Sequence, residues 1–416
     1  MMKKAGKKDS PNRKNAVKPG AGKPGPGKTS DLRLKATTLR GLEEILMQEL
    51  ADLGARDLDR QHGAVLFSGD FDLLYRCCIC LRSAVRVLMI LSTTRIGDQK
   101  DLYDLGRSIP WNQWFSVTHS IAVDAAVHSR IFSNSHYAAL KLKDAVCDEF
   151  RSRTGKRPDV SVREADIRIH LHLHEQDCSI SLDAAGGSLH RRGYRAQSDI
   201  APLSEVLAAG MVMLANPDWD EPFLDFMCGS GTIPMEAFML RNRLAPGIFR
   251  KKMAFENWKT YFEKAHRTVL AEEKGKWTAQ ENRKDSLPVT EERKPWIRGS
   301  DRSAKAIEIA KSNRKILGLS AEDILFETFE ATELEELPER GLAIINPPYG
   351  ERLSLEDASA YYKNLGDTMK GKFKGWTVWV LSANLEAFKR IGLKPTRKIT
   401  LYNGPLECSY RRFDMY

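Results

Sequence analysis

A chain of 416 residues, 42% hydrophobic and 29% charged, is long enough to bury more than one core, so two or three domains are expected. Its net charge of +10 is concentrated: residues 1–28 carry nine Lys or Arg against Asp9, leaving about +2 for everything else, so charge alone is not a nucleic-acid signature of the folded part. No apolar run reaches the roughly 18 residues of a bilayer crossing, and no apolar segment follows the basic N-terminus as in a secretory signal. An odd seven cysteines, mostly inside apolar runs, read as reduced thiols of a cytoplasmic protein.

Residues 1–30, rich in Lys, Gly and Pro, read as a disordered basic tail that raises the encounter rate with RNA or DNA at low salt, or merely aids solubility. A strand at 32–37 precedes "LRGLEEILMQELADLG", which sets Leu42, Ile45, Leu46, Leu50 and Leu53 along one helix face, closed by Gly54. "AVLFSG", "FDLLYRCCICL" and "AVRVLMILS" complete an α+β module through about residue 92. Cys77 and Cys80 have CxxC spacing but no second pair, so no metal is expected.

Residues 93–190 read as a second α+β module, with a strand at "WFSVTHS", a helix over "SHYAALKLKDAVCDEFRSRTG" and strands at "IRIHLHLHEQ" and "CSISLDAAG". His170, His172 and His174 share one strand face; without a second ligand cluster they read as a half-exposed polar face that touches RNA rather than as a metal site. Arg191, Arg192 and Arg195 around Tyr194 are candidates for phosphate contacts, or for a solvated hinge.

From 191 to 416 the pattern changes. Apolar runs "EPFLDFM", "WIRGSD", "ILFETF", "LAIIN" and "WTVWVLS" alternate with helical stretches, which indicates an α/β doubly wound domain with a mainly parallel sheet covered on both faces. The charged stretch 251–295 reads as helices plus a polar loop inserted between the first two strands.

Three strand ends in this domain carry chemistry. After Asp225, the loop Cys228-Gly229-Ser230-Gly231-Thr232 leads into a helix; its glycines allow a tight turn and close backbone approach, but it lacks the GKS of a P-loop and a full GxGxxG. Asp301 ends the next strand, where a carboxylate can accept hydrogen bonds from both ribose hydroxyls, or simply cap the following helix. "LAIINPPYG" ends in Asn346-Pro347-Pro348-Tyr349, where two prolines fix the backbone and hold an amide rigidly at the sheet edge. Together these describe a nucleoside-binding edge with a reacting group beside it.

"DFMCGSGT" followed by "NPPYGERL" resembles the amino methyltransferases that use S-adenosyl-L-methionine. "NSHYAALKLKDAVCDEFRSRTGKRPDV", "LDAAGGSLHRRGYR", "APLSEVLAAG" and "LYNGPLECSYRRF" are similar to segments of the bacterial THUMP-domain 23S rRNA guanine-N2 methyltransferase family, so the resemblance covers all but the tail. It implies a Rossmann-like class I methyltransferase domain at 191–416 behind ferredoxin-like (31–92) and THUMP (93–190) domains. The methionine end of S-adenosyl-L-methionine would lie by Asp225, Cys228, Gly229, Ser230, Gly231 and Thr232, with its ribose on Asp301. For the adenine amine the family usually has Asp-Ala; this chain has Glu330-Ala331, with Asp323 as a weaker alternative, and Phe226 replaces a usual Pro in the first loop. Asn346 Oδ1 and the Pro347 carbonyl would accept the hydrogens of an exocyclic amine, Pro348 would lock the loop and Tyr349 would stack on a flipped base.

The implied substrate is guanine N2 in 23S rRNA or a large-subunit precursor. The NPPY chemistry equally serves N6 of adenine, and a non-catalytic THUMP assembly factor is a further alternative. No metal, membrane or obligate protein partner is expected.

Overall fold

The computed structural model describes residues 31–195, 203–285, 296–333, 337–348 and 355–416. The expected disordered tail and Tyr349 lie outside them.

The N-terminal body comprises β1 (Leu32–Thr38), α1 (Glu43–Asp52), β2 (Arg56–Gln61), β3 (Ala64–Gly69), α2 (Phe71–Cys80), β4 (Ala84–Arg95), α3 (Gln99–Ser108), β5 (Ile121–His128), α4 (Ser135–Thr154), β6 (Ile167–His174) and β7 (Asp177–Asp183). Local chemistry sets the helix starts. Asp70 caps α2 by accepting the Leu73 N–H at 2.9 Å, Asp98 and Asp101 form a reciprocal capping box on α3, and Asn134 caps α4. The strands form one sheet, ordered β2-β3-β1-β4-β7-β6-β5. The two expected α+β modules therefore share a continuous sheet: the 12-residue β4 pairs antiparallel with β1 on one side and with β7 on the other. Helices α1 to α4 all pack on the face bearing Leu34, Val65, Val87, Ile169 and Ile180.

"WFSVTHS" is not a strand. Trp111, fully buried with its indole N–H on the Gly106 carbonyl, anchors a 3₁₀ turn, and the Trp114 and Phe115 N–H groups both bond back to its carbonyl. The strand begins only at Ile121.

The C-terminal body comprises α5 (Glu205–Ala215), β8 (Phe223–Asp225), α6 (Thr232–Arg241), α7 (Glu263–Asp285), β9 (Ile297–Asp301), α8 (Ala304–Ile316), β10 (Leu325–Thr328), β11 (Gly341–Ile345), α9 (Leu355–Lys372), β12 (Trp376–Ser382), α10 (Leu385–Phe388), β13 (Arg397–Asn403) and β14 (Leu406–Asp414). Its order is β10-β9-β8-β11-β12-β14-β13; the first five strands are parallel and β14 runs antiparallel to both neighbours. One core lies on each face of this sheet: Leu342 and Ile344 point to one, Ala343 and Ile345 to the other.

The two bodies meet tightly. Trp258 and Val269, from the insertion between β8 and β9, join the N-terminal core. The Phe262 N–H donates to Tyr75 Oη at 3.0 Å. A Cβ on Gly247 would lie 2.6 Å from the Ile79 carbonyl oxygen, so only glycine permits this backbone contact. Arg82 donates to the Leu244 carbonyl at 2.6 Å, and burial pushes its pKa down.

Candidate active site

The site forms where β8, β9, β10 and β11 end. β8 is only three residues, all buried, and delivers Asp225 into the sheet edge with 1% of its surface exposed. Its Oδ1 accepts the Met227 N–H at 3.1 Å, while burial, reinforced by the charge of Asp301, raises its pKa well above the usual carboxylate range.

The glycine loop is tied to β9 at two points: the Cys228 N–H donates to the Ser300 carbonyl at 2.9 Å, and the Gly229 N–H donates to Asp301 Oδ2 at 3.0 Å. Gly229 and Gly231 both have left-handed φ, +52° and +81°. They differ in their surroundings. A Cβ on Gly231 would lie 2.7 Å from the Phe326 ring, whereas one on Gly229 would meet nothing within 4 Å, so the loop faces open space there. Asn313, from α8, donates to the Ser230 carbonyl at 3.3 Å and braces the loop from behind.

Asp301 does not cap α8. That role belongs to Ser303, whose hydroxyl accepts the Ala306 N–H, while Asp301 Oδ1 accepts the Ser303 N–H at 2.9 Å. Each Asp301 oxygen thus holds one loop amide and keeps acceptor capacity for a ligand. Glu330 lies beyond β10 with its side chain exposed. Asp323, the weaker alternative, closes the turn before β10 instead, accepting the Ser320 N–H at 2.7 Å.

Asn346 follows β11, the strand beside β8. Its Oδ1 is buried without a hydrogen-bond partner among the described residues, and Pro347 behind it is buried. A buried amide oxygen left unpaired costs about 1–3 kcal/mol, so this atom marks a place where a donor belongs. The sequence reading missed Tyr361 on α9. Its hydroxyl donates to Met227 Sδ at 3.3 Å, and its pKa is pushed up to about 12 by burial; Arg302 opposes that shift and the nearby Asp301 and Glu330 charges add to it. Tyr361 therefore stands beside the strand ends that carry Met227 and Asp301, a position no local motif announces.

The three arginines divide. Arg191 is exposed. Arg192 is 2% exposed, donating to the Arg82 carbonyl at 2.6 Å and paired with the fully buried Glu236 at 3.4 Å, so the expected phosphate contact does not hold for it: it joins the two bodies. Arg195 pairs with Glu205 at 3.1 Å and donates to Thr232 Oγ1 at 3.0 Å, which engages it at the start of α6. Among the described residues no cluster of His, Cys, Asp and Glu could hold a metal, and no helix is long and apolar enough to cross a membrane.

Residues 192–412 match the family profile described as RMKL-like, methyltransferase domain; 98–183 match the THUMP domain and 33–88 the RlmL ferredoxin-like domain. The chain is 36% identical over 393 residues to the ribosomal RNA large subunit methyltransferase K/L of Syntrophotalea carbinolica, covering 92% of this chain and 54% of that one, so it spans about half the length of this relative. It is 35% identical to the Synechocystis sp. protein slr0064, over 92% of this chain and 96% of that one. Among solved structures, SMU.472 in complex with SAH superposes with a TM-score of 0.77 at 26% identity, over 94% of this chain and 99% of that one. A chain from Listeria monocytogenes described as a predicted N6-adenine-specific DNA methylase gives 0.78 at 27%, over 93% and 97%.

The residues present suit S-adenosyl-L-methionine: an open cradle at Gly229, a carboxylate with spare acceptor capacity at Asp301, a buried acid at Asp225 and an amide oxygen at Asn346 that is unpaired among the described residues. The chain belongs to the RMKL-like methyltransferase family, with ferredoxin-like and THUMP domains preceding a class I catalytic sheet that uses S-adenosyl-L-methionine.

Proposed function

We propose that this chain methylates N2 of an unpaired guanine in 23S rRNA or a large-subunit precursor, in the cytoplasm. The observation that carries an amine substrate is the buried Oδ1 of Asn346, beside the glycine loop and unpaired among the described residues. When bound, the cofactor supplies a methyl group on a positively charged sulfur. Everything else falls to the chain. Asn346 Oδ1 and the Pro347 carbonyl accept the two amine hydrogens, which orients the nitrogen lone pair and stabilises the positive charge that develops on it. No strong base is needed, because the alkylated nitrogen is acidic. Asp301 accepts the ribose hydroxyls, and a cationic amino group beside Asp225 offsets the burial that disfavours its ionised form. Glu330 serves the adenine amine, with the Tyr361 ring as a wall. Pro348 locks the loop and Tyr349 stacks on a base taken out of its helix. Of the arginines, the exposed Arg191 is the one we assign to phosphate contact.

Large-subunit rRNA is supported by the name of the Syntrophotalea relative, and guanine by the familial segments of the sequence. The name of the Listeria structure favours a second reading, transfer to N6 of adenine, since both amines offer the same two hydrogens. Incubating rRNA with labelled cofactor and the full chain, then digesting to nucleosides, separates them. N2-methylguanosine is expected. N6-methyladenosine would establish the second reading, and no labelled nucleoside would reduce the chain to an RNA-binding factor.

A further inference from the structure

Residues 192–195 reach α6, the helix that leaves the glycine loop, at two successive turns. Thr232 is the first residue of α6, and Glu236 stands four positions on, along the same helix face. Arg192 pairs with Glu236, Tyr194 Oη donates to the same carboxylate at 3.2 Å, and Arg192 is tied in turn to the Arg82 carbonyl of the ferredoxin-like domain. Arg195 holds the first turn, donating to Thr232 Oγ1 at 3.0 Å and to the Leu203 carbonyl at 3.1 Å. Its charge is met by the buried Glu205, so Arg195 is not a spare cation awaiting an anion.

What Arg195 does to Thr232 follows from its donors. A guanidinium only donates, whereas a hydroxyl has one hydrogen and two lone pairs, so the contact occupies a lone pair of Oγ1 and leaves the hydroxyl hydrogen for another acceptor. Thr232 is 5% exposed, and among the described residues nothing accepts that hydrogen. The backbone beside it is in the same position. Gly231 supplies no side-chain cap, and the Thr232 and Ile233 N–H groups meet no acceptor among the described residues. Three donors at the positive end of a helix, opening from a loop with space at Gly229, call for a small anion. The amino-acid end of S-adenosyl-L-methionine carries one, its carboxylate, while the buried Asp225 suits its amino group.

We propose that Arg195 is a positioning residue: by engaging a lone pair of Thr232 it turns the hydroxyl hydrogen to the cofactor's carboxylate, which fixes the methionine end and aims the sulfonium methyl at the amine held by Asn346. Only the aim of the methyl rests on the amine reading above; the hold on the cofactor does not. Calorimetry of the full chain with S-adenosyl-L-methionine and with its decarboxylated analogue, which lacks only the carboxylate, is compared for wild type, Arg195→Met, Arg195→Lys and Thr232→Val. Arg195→Met should weaken S-adenosyl-L-methionine about tenfold and leave the analogue unchanged, a selectivity that a general loosening of α6 would not show. Arg195→Lys, which keeps a donor for Oγ1, should recover most of the affinity. Because removing Arg195 strands Glu205, Thr232→Val is the safer variant. It spares that ion pair, should show the same selective loss, and combined with Arg195→Met should lose no more than either alone. In methyl transfer to rRNA, Arg195→Met should raise KM for the cofactor about tenfold and lower the single-turnover rate at saturating cofactor only about threefold, as a bound but less well aimed methyl requires. Equal weakening of both ligands would reduce Arg195 to a structural brace, and wild-type affinities in Arg195→Met or additive losses in the combined variant would equally overturn the proposal. The expected selectivity in a chain that methylates no rRNA would support the hold on the cofactor and sink the amine reading alone.

Discussion

The N-terminal sheet carries its four helices on one face, whereas the C-terminal sheet has an apolar core on each side. Their strands differ accordingly. β6, "IRIHLHLH", alternates buried isoleucine and leucine with half-buried or exposed arginine and histidine, while β11, "GLAII", is buried at every position. A sheet covered on both faces leaves a ligand only the strand ends, which is where Asp225, Asp301 and Asn346 stand. Mutations at the strand ends are thus expected to act on chemistry and cofactor binding, and mutations remote from them on stability.

The largest effect should come from the strand-end site. Asn346→Ala should lower the single-turnover rate of methyl transfer by about 100- to 1000-fold, with SAH affinity by calorimetry within about twofold of wild type. Near-wild-type chemistry would return the motif to a structural turn. Next is the seam between the two bodies. Arg192→Ala leaves the buried Glu236 without its cation and should cost about 3 kcal/mol in denaturant unfolding, an effect that an exposed phosphate-binding arginine would not show. Asp301→Ala removes the acceptor for the Gly229 and Ser303 amides as well as the ribose contact, and should weaken SAH by about 30-fold, or about 2 kcal/mol, in calorimetry. Unaltered affinity in a folded variant would exclude Asp301 from the site.

The smallest expected effect belongs to the polar face of the N-terminal sheet and depends on pH. His170 and His172 have folded pKa values of about 4, below their ordinary 6.5, so the unfolded chain binds more protons between those limits. Their contribution to stability is full above about pH 6.5 and is lost as pH falls towards 4. After solvent screening it should be on the order of 1 kcal/mol for the pair. Arg86, Lys35 and His174 oppose protonation there and Asp124 favours it, so His170→Gln/His172→Gln should flatten the chemical-denaturation profile over that range. A profile as steep as wild type would assign the acid sensitivity to other groups.

Much of the catalytic half was legible because its signals are local. Five apolar runs lie on the five parallel strands, and the glycine loop, Asp301 and Asn346 all stand at strand ends, since a glycine turn, a terminal acid and a proline pair are each set within a few residues. Local patterns also misled. "WFSVTHS" alternates like a strand, yet Trp111 is buried and draws the backbone into a turn; the β13–β14 hairpin, turning at Gly404-Pro405, supplies the antiparallel part of a sheet whose five parallel strands match the mainly parallel pattern of the apolar runs.

What the sequence by itself determined is the period of each strand, the start of each capped helix and the residue types available at the sheet edge. Only the tertiary structure decided that β4 would pair with β7 and merge two modules into one sheet, an arrangement tied by Arg86 and Asp183, 97 residues apart. It likewise decided that Arg192 would be buried against the Leu81 and Arg82 carbonyls and that Tyr361 would reach Met227, 134 residues away. The physical reason is range: backbone preference and side-chain alternation act between near neighbours along the chain, whereas burial and ion pairing depend on which distant surfaces exclude water together.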